Sequence, residues 1–99
     1  MNFKDKVLKL VAKVPEGKVT TYKKIAEEME KPKAYRAVGN ALAENPDPIN
    51  IPCHRIVKSN GEIGGYSRGI EEKKKLLKSE GVEIQGGKID LDRYFFGDF

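Results

Sequence analysis

Two helical-period stretches around a tight break, a third such stretch at each end, and one short extended–turn–extended run predict the fold class. It is mainly α: a winged helix-turn-helix, built as a small helical bundle with a short β-hairpin wing. Asn2 can cap a first helix, on which Phe3, Val7, Leu10, Val11 and Val14 form one apolar face. Lys4, Lys6, Lys9 and Lys13 fill the other positions. Pro15-Glu16-Gly17 stops that helix, and Lys18-Val19-Thr20 is a short extended piece. Thr20 or Thr21 can cap a second helix, with Tyr22, Ile25, Ala26 and Met29 at i, i+3, i+4 and i+7.

Lys31-Pro32-Lys33 breaks it, and a third helix is expected from about Ala34 to Glu44. At about 100° per residue, Ala34, Ala37, Val38, Ala41 and Leu42 share the core-facing arc. Arg36, Gly39, Asn40 and Ala43 share the opposite one. That outer face is small apart from the arginine, so a partner can come close to the helix backbone. Glycine costs a helix about 1 kcal/mol relative to alanine, so mid-helix Gly39 suggests packing or binding. The plainer reading is an amphipathic helix with a low-volume exposed side.

Pro46, Pro48 and Pro52 make residues 45–52 a rigid connector. Arg55-Ile56-Val57 reads as a strand, Ser59-Asn60-Gly61 as a turn and Glu62-Ile63-Gly64 as the returning strand of the wing. The loop Gly64-Gly65-Tyr66-Ser67-Arg68-Gly69 lacks the spacing of a phosphate-binding loop. A last helix is expected from about Ile70 to Ser79, with Ile70, Leu76 and Leu77 inward and Lys73, Lys74, Lys75 and Lys78 largely outward. Gly81 ends it. The tail with Tyr94, Phe95, Phe96 and Phe99 is too apolar for water and is expected to pack back on the domain.

Ninety-nine residues suit one domain that folds without staples. A single cysteine forbids an internal disulfide and fits a reducing compartment. No signal peptide and no stretch near the roughly 20 apolar residues of a membrane span are evident, so a soluble, cytoplasmic protein is expected. The net charge of +4 lies in the first half: residues 1–45 carry ten Lys and Arg against six Asp and Glu, residues 46–99 nine against nine. A phosphate-facing surface is expected there, although a solvated lysine face gives the same count. One histidine and one cysteine are too few for a dedicated zinc site, so no metal is expected.

The one cysteine and the one histidine are neighbours, Cys53 and His54, flanked by Ile49-Asn50-Ile51 and Ile56-Val57. Thiolate is the nucleophilic form of cysteine, and a nearby base generates it. Alternatively Cys53 is a small core hydrophobe and His54 a surface residue. The wider pattern weighs against that alternative. Arg36-Ala37-Val38-Gly39-Asn40-Ala41, Asn45-Pro46, Ile51-Pro52-Cys53-His54-Arg55-Ile56-Val57, Gly64-Gly65-Tyr66-Ser67 and Glu80-Gly81 occur in order. From about Phe3 to Tyr94 the chain resembles the DNA-binding, active-site domain of the O6-alkylguanine-DNA alkyltransferases.

The resemblance implies DNA repair by direct reversal. Duplex DNA is gripped through its minor groove, the O6-alkylguanine nucleotide is extruded, and its alkyl group passes irreversibly to Cys53. It implies that Arg36 fills the vacated stack, that Tyr22 presses on the target phosphate, and that Gly39, Asn40 and Ala43 belong to the groove-facing helix surface. Tyr66 would serve N3 of the leaving guanine, the Ser67 amide O6, and the Cys53 and Ile56 carbonyls the exocyclic amine. Asn45 would brace the turn before the nucleophile. His54 and Glu80 would act on the thiol through a water. Adjacent residues in extended chain point to opposite sides, so His54 need not touch the sulfur. A monomer without cofactor, acting once per molecule, is expected. Many relatives carry a further N-terminal domain, and this sequence starts at the first helix; activity without that domain is the expectation. Two other functions remain: a lesion sensor that binds alkylguanine without transfer, and a winged-helix regulator. Sensors of this kind replace the nucleophile, commonly with tryptophan, whereas this chain has Cys53 and no tryptophan.

Overall fold

The structure, a computed structural model, describes residues 2–99. Its elements follow in the order α1 Phe3–Val11, β1 Thr20–Thr21, α2 Tyr22–Glu28, α3 Tyr35–Ala43, a 3-10 turn Cys53–Arg55, β2 Ile56–Val57, α4 Ile70–Ser79 and α5 Leu91–Tyr94. The chain is thus mainly helical with one two-stranded sheet. Local chemistry sets several of the boundaries. The Asn2 side chain accepts a hydrogen bond from the Asp5 amide at 2.8 Å and caps α1. Thr21 does the same for Lys24 at 3.0 Å and caps α2. Gly81, at φ +87°, ends α4, with the Gly81 and Val82 amides donating back to the carbonyls of Lys78 and Leu77. Glu30, at φ +61°, closes α2 by the same bonding pattern, so the helix stops before Pro32 is reached.

α1, α2 and α3 pack on one another, and Val7, Leu8, Val11, Val14, Ile25, Ala26, Val38 and Leu42 form their shared core. Leu8 widens the α1 stripe beyond the expected face. Ala37, expected inward, is exposed, because α3 meets its neighbours along the narrower stripe Val38, Ala41 and Leu42. A second core gathers Val19, Val57, Ile63, Leu77, Val82, Ile89 and Tyr94.

The wing differs from expectation. Residues 55–57 and 62–64 do not form an antiparallel hairpin. β2 instead pairs in parallel with β1, in the register Thr20 with Ile56 and Thr21 with Val57. Between the two runs Lys58 closes a turn with two backbone bonds, its amide donating to the Glu62 carbonyl and its carbonyl accepting from the Gly61 amide, and Glu62 bridges to Lys88. Gly61 explains why the segment lies against 88–89 instead. Its φ is +90°, the Ile89 amide donates to its carbonyl, and a Cβ there would stand 2.7 Å from the Ile89 carbonyl oxygen. The aromatic tail folds back except for the Phe95 side chain, which stays 41 % exposed: Val19 donates to the Tyr94 carbonyl and Phe96 to the Val19 carbonyl. Phe96 and Phe99 then meet edge to face, 5.0 Å apart, against the first core.

α4 spans the expected residues but faces differently. Ile70, its first residue, is 46 % exposed, and Lys73 is fully buried. Ile70, Lys73 and Leu77 lie on one helical stripe, and the core receives that stripe from Lys73 onward.

Candidate active site

A cleft of about 930 Å³ opens between α3 and the loop 65–67. Tyr22, Arg36, Gly39, Ala43, Cys53, Tyr66 and Ser67 all line it. Asn40 is exposed on α3 but does not line the cleft. Arg36 stands exposed in the first turn of α3 and makes no hydrogen bond or ion pair among the described residues. Cys53 is 5 % exposed and belongs to the first core, so it is both a packed side chain and the thiol that faces the cleft.

The connector delivers Cys53 through a fixed turn. The Asn45 amide nitrogen donates to the Ile51 carbonyl at 2.9 Å, and the Cys53 amide donates to the same oxygen at 2.8 Å. Asn45 also accepts from the Asp47 amide at 2.9 Å. Asn50 donates twice to the Asp47 carboxylate, which lowers the Asp47 pKa. Asn45 thus ties the end of α3 to the residue two before the nucleophile. Cys53–Arg55 is a 3-10 turn rather than the extended chain expected, so strand alternation is not what separates Cys53 from His54. They are separated because the imidazole turns toward α4.

His54 is buried, and its Nε2 lies 2.9 Å from Glu80 Oε2. A carboxylate only accepts, so Nε2 carries the proton and Nδ1 holds the lone pair. Nδ1 is buried with no hydrogen-bond partner among the described residues. Burial pushes the imidazole below its ordinary pKa despite Glu80, so it is a neutral base at neutral pH. Arg55 completes the assembly. Its Nε and a terminal nitrogen grip the two Glu80 oxygens at 2.9 and 2.7 Å, and its other nitrogen donates to the Val14 carbonyl at 2.8 Å. Burial alone would raise the Glu80 carboxyl, but hydrogen bonds and charge from Arg55 and His54 outweigh it and hold the carboxyl low. Glu80 is therefore ionised, orients the imidazole, and is itself oriented by Arg55.

The remaining wall is aromatic. The Tyr66 hydroxyl is buried without a hydrogen-bond partner, and burial, then the nearby thiol, raises its pKa. It remains a proton donor at neutral pH. Tyr22 lies between Gly39 of α3 and Gly64: a Cβ on Gly64 would stand 3.1 Å from the Tyr22 hydroxyl. Burial, then Cys53, also raises the Tyr22 pKa. Tyr22 is half-buried against the first core and lines the cleft, so the core and surface readings of that residue both apply.

Two charged residues went unassigned by sequence reasoning. Arg55 sits inside the Pro-Cys-His-Arg signature but reads as a strand residue. Lys73 reads as an outward lysine, although its place between Ile70 and Leu77 at helical spacing marks the inward stripe. Its Nζ donates to the Ile56 carbonyl at 2.6 Å and the Gly65 carbonyl at 3.0 Å.

A small helical domain whose lone buried thiol opens into a cleft beside a neutral histidine–glutamate pair is the class of protein these features define. Comparison with known proteins gives the family. Residues 2–82 match the family model for the 6-O-methylguanine DNA methyltransferase DNA-binding domain. The chain belongs to that family. It is 52% identical over 84 residues to a methylated-DNA–protein-cysteine methyltransferase of Sulfolobus acidocaldarius, covering 85% of this chain and 52% of that protein. It is 48% identical over 90 residues to a bifunctional methyltransferase/endonuclease of Picrophilus torridus, covering 91% of this chain and 30% of that protein. The chain thus spans about half or less of the length of these curated relatives. Among solved structures it is similar to S. pombe Atl1 in complex with damaged DNA containing O6-carboxymethylguanine. The TM-score is 0.86 at 35% identity, over 95% of this chain and 94% of that one. No helix is long and apolar enough to cross a membrane among the described residues.

Proposed function

We propose that this chain repairs DNA by direct reversal, taking the alkyl group of O6-alkylguanine onto Cys53 once per molecule. The observation that carries the reading is the geometry around Cys53: a thiol facing a cleft of about 930 Å³, with an oriented neutral base and an unpartnered tyrosine hydroxyl nearby. The α2–α3 pair holds the duplex as a helix-turn-helix unit, with Gly39 and Ala43 toward the minor groove, and the target nucleotide turns out into the cleft. His54 Nδ1 takes the thiol proton through a water. The thiolate attacks the alkyl carbon, the C–O6 bond breaks, and its electron pair leaves on the guanine, which Tyr66 protonates at N3. The Ser67 amide serves O6, and the Cys53 and Ile56 carbonyls take the exocyclic amine. The S-alkylcysteine has no good leaving group, so the protein, acting as a monomer without cofactor, is spent.

The nearest second reading is a lesion sensor, favoured by the likeness to Atl1 over nearly the full length of both chains. Cys53 favours transfer. Intact-mass spectrometry after mixing with O6-methylguanine duplex separates the readings. One methyl adduct means transfer, tight binding without adduct means a sensor, and no preference for the damaged duplex means a regulator.

Two expected outcomes arise here. Arg36→Ala should lose at least tenfold more transfer from duplex than from free O6-methylguanine, because only the duplex leaves a gap to fill. Mere loss of a phosphate contact would show as a salt slope reduced by about one and an equal loss across sequences. Equal loss on free base and duplex would contradict the role. Second, methylated protein should melt below unmodified protein. The added methyl enters a packed position, overpacking costs about 1–3 kcal/mol, and a domain this size holds only about 5–15 kcal/mol. Thermal unfolding of both forms, with larger alkyl groups alongside, checks it. An equal or higher midpoint would mean that the pocket takes the group without strain.

A further inference from the structure

The cleft has a part that the transfer itself does not use. Lys23, Pro32 and Tyr35 also line it, from the start of α2, the α2–α3 link and the start of α3. Four large apolar side chains stand exposed among the described residues, Tyr35, Ile49, Ile70 and Phe95, and only Tyr35 lines the cleft. It is 48 % exposed and belongs to neither core. A bare aromatic ring gains from being covered, and this one is bare where a ligand enters.

Helical register says how far from the extruded base it stands. Tyr35, Gly39 and Ala43 lie at i, i+4 and i+8, and all three line the cleft. Gly39 is the position that meets the Tyr22 ring, since a Cβ there would stand 3.9 Å from it. Tyr35 is four residues earlier, about 6 Å along the helix axis. Stacked nucleotides follow one another at about 3.4 Å, so that offset is roughly one to two nucleotide steps. Charge says what kind of chain fits. Lys23, Arg36 and Lys58 line the cleft, and no Asp or Glu does. An open aromatic ring among cations is the arrangement that holds single-stranded nucleic acid, bases on the ring and phosphates on the cations. Tyr35 and Arg36 are successive helix residues, about 100° apart, so the two side chains diverge and cannot enter the same gap.

We propose that Tyr35 is a nucleobase-stacking residue: it takes the base next to the extruded nucleotide on the lesion strand, with Lys23 and Lys58 toward the phosphates. The inference rests on the reading of the cleft as the seat of the extruded nucleotide, and adds a second station on the same strand.

The test is a cycle between Tyr35 and the flanking base. A short single strand carries O6-methylguanine between two normal bases, or with a tetrahydrofuran abasic unit in place of either neighbour. Fluorescence anisotropy measures its binding to Cys53→Ala, in which no transfer consumes the ligand, and to the same protein carrying Tyr35→Ala, Tyr35→Leu or Tyr35→Phe. A stacked base is worth about 5- to 100-fold in affinity. Tyr35→Ala should lose that factor on the strand with both bases, and should lose nothing on the strand whose stacked neighbour is abasic. Tyr35→Phe keeps the ring and should bind like the Cys53→Ala protein. Unchanged affinity in Tyr35→Ala overturns the proposal, and so does a loss of equal size whichever neighbour is abasic. A loss seen only when the strand is paired would place the ring against the complementary strand, which also overturns it. So does a Cys53→Ala protein that does not bind the single strand. Should Tyr35→Ala fail to fold, Tyr35→Leu, which keeps apolar bulk without a flat face, decides by the same cycle. Methyl transfer by the unsubstituted protein is followed separately by intact mass. A missing adduct refutes the acceptor reading, and the cycle, which needs no transfer, still reports on Tyr35.

Discussion

Cys53→Ala is expected to abolish transfer completely while keeping the lesion bound. No other thiol exists in the chain, so nothing can substitute for it. The substitution removes one sulfur from a side chain that packs in the first core. The bonds that shape the turn, from Asn45 and the Cys53 amide to the Ile51 carbonyl, do not involve the sulfur and should persist. The cleft and the free Arg36 likewise stay in place. Gel shift with O6-methylguanine duplex should show binding within a few-fold of the parent, and intact mass should show no adduct. An adduct on the alanine protein would refute the assignment of the acceptor.

Glu80→Gln is expected to have the second largest effect, a fall in transfer rate of about 10²–10⁴-fold, the usual worth of a positioned general base. Glu80 accepts from His54 and twice from Arg55. An amide cannot accept at both ends: with its nitrogen at the Oε1 position Arg55 Nε loses its partner, and with its nitrogen at the Oε2 position an Arg55 terminal nitrogen loses its partner and His54 Nε2 gives up its proton. In the second case the lone pair moves off Nδ1 and the base faces the wrong way. Stability should fall by about 1.5–3 kcal/mol for the lost charged hydrogen bonds, so rates are compared where both proteins are folded. The pH profile reads the same assembly. Burial holds the imidazole below its ordinary pKa, so the neutral base persists to lower pH than an exposed histidine would allow. The parental rate should stay level through neutrality and fall only as pH drops below the usual histidine range near about 6.5. A rate that falls already between pH 8 and 7 would mean a raised histidine pKa and would contradict the assignment.

Local rules made much of this structure legible. Asn2 and Thr21 cap helices because a short polar side chain before an apolar periodic run has little else to do. Gly81 ends α4 because the left-handed step needs a residue without Cβ. The outer face of α3, with Arg36, Gly39 and Ala43, follows from helical angle alone, and those residues do line the cleft. Features that depend on distant partners were harder to read. The wing was expected from two adjacent extended runs, but β2 found Thr20–Thr21 instead, and Gly61 brought its neighbours to Ile89. The partners that decide the outcome, Thr20–Thr21 and Ile89, lie outside residues 55–64. Lys73 was misplaced because its residue type outweighed its helical register. Its burial depends on two carbonyls from segments the local pattern cannot bring together. The His54–Glu80 contact bridges 26 positions and was reachable only through the family resemblance; Arg55, which holds that pair, was hidden by its reading as a strand residue.

The central claim is that Cys53 takes the alkyl group once and is spent. Its most direct measurement is a titration of the protein with excess O6-methylguanine duplex. Guanine restored in the DNA and methyl on the Cys53 peptide are quantified from the same samples over time. The account predicts that both rise together and stop at one per protein molecule. Restoration that continues past one equivalent, or that proceeds without methyl on Cys53, would contradict it.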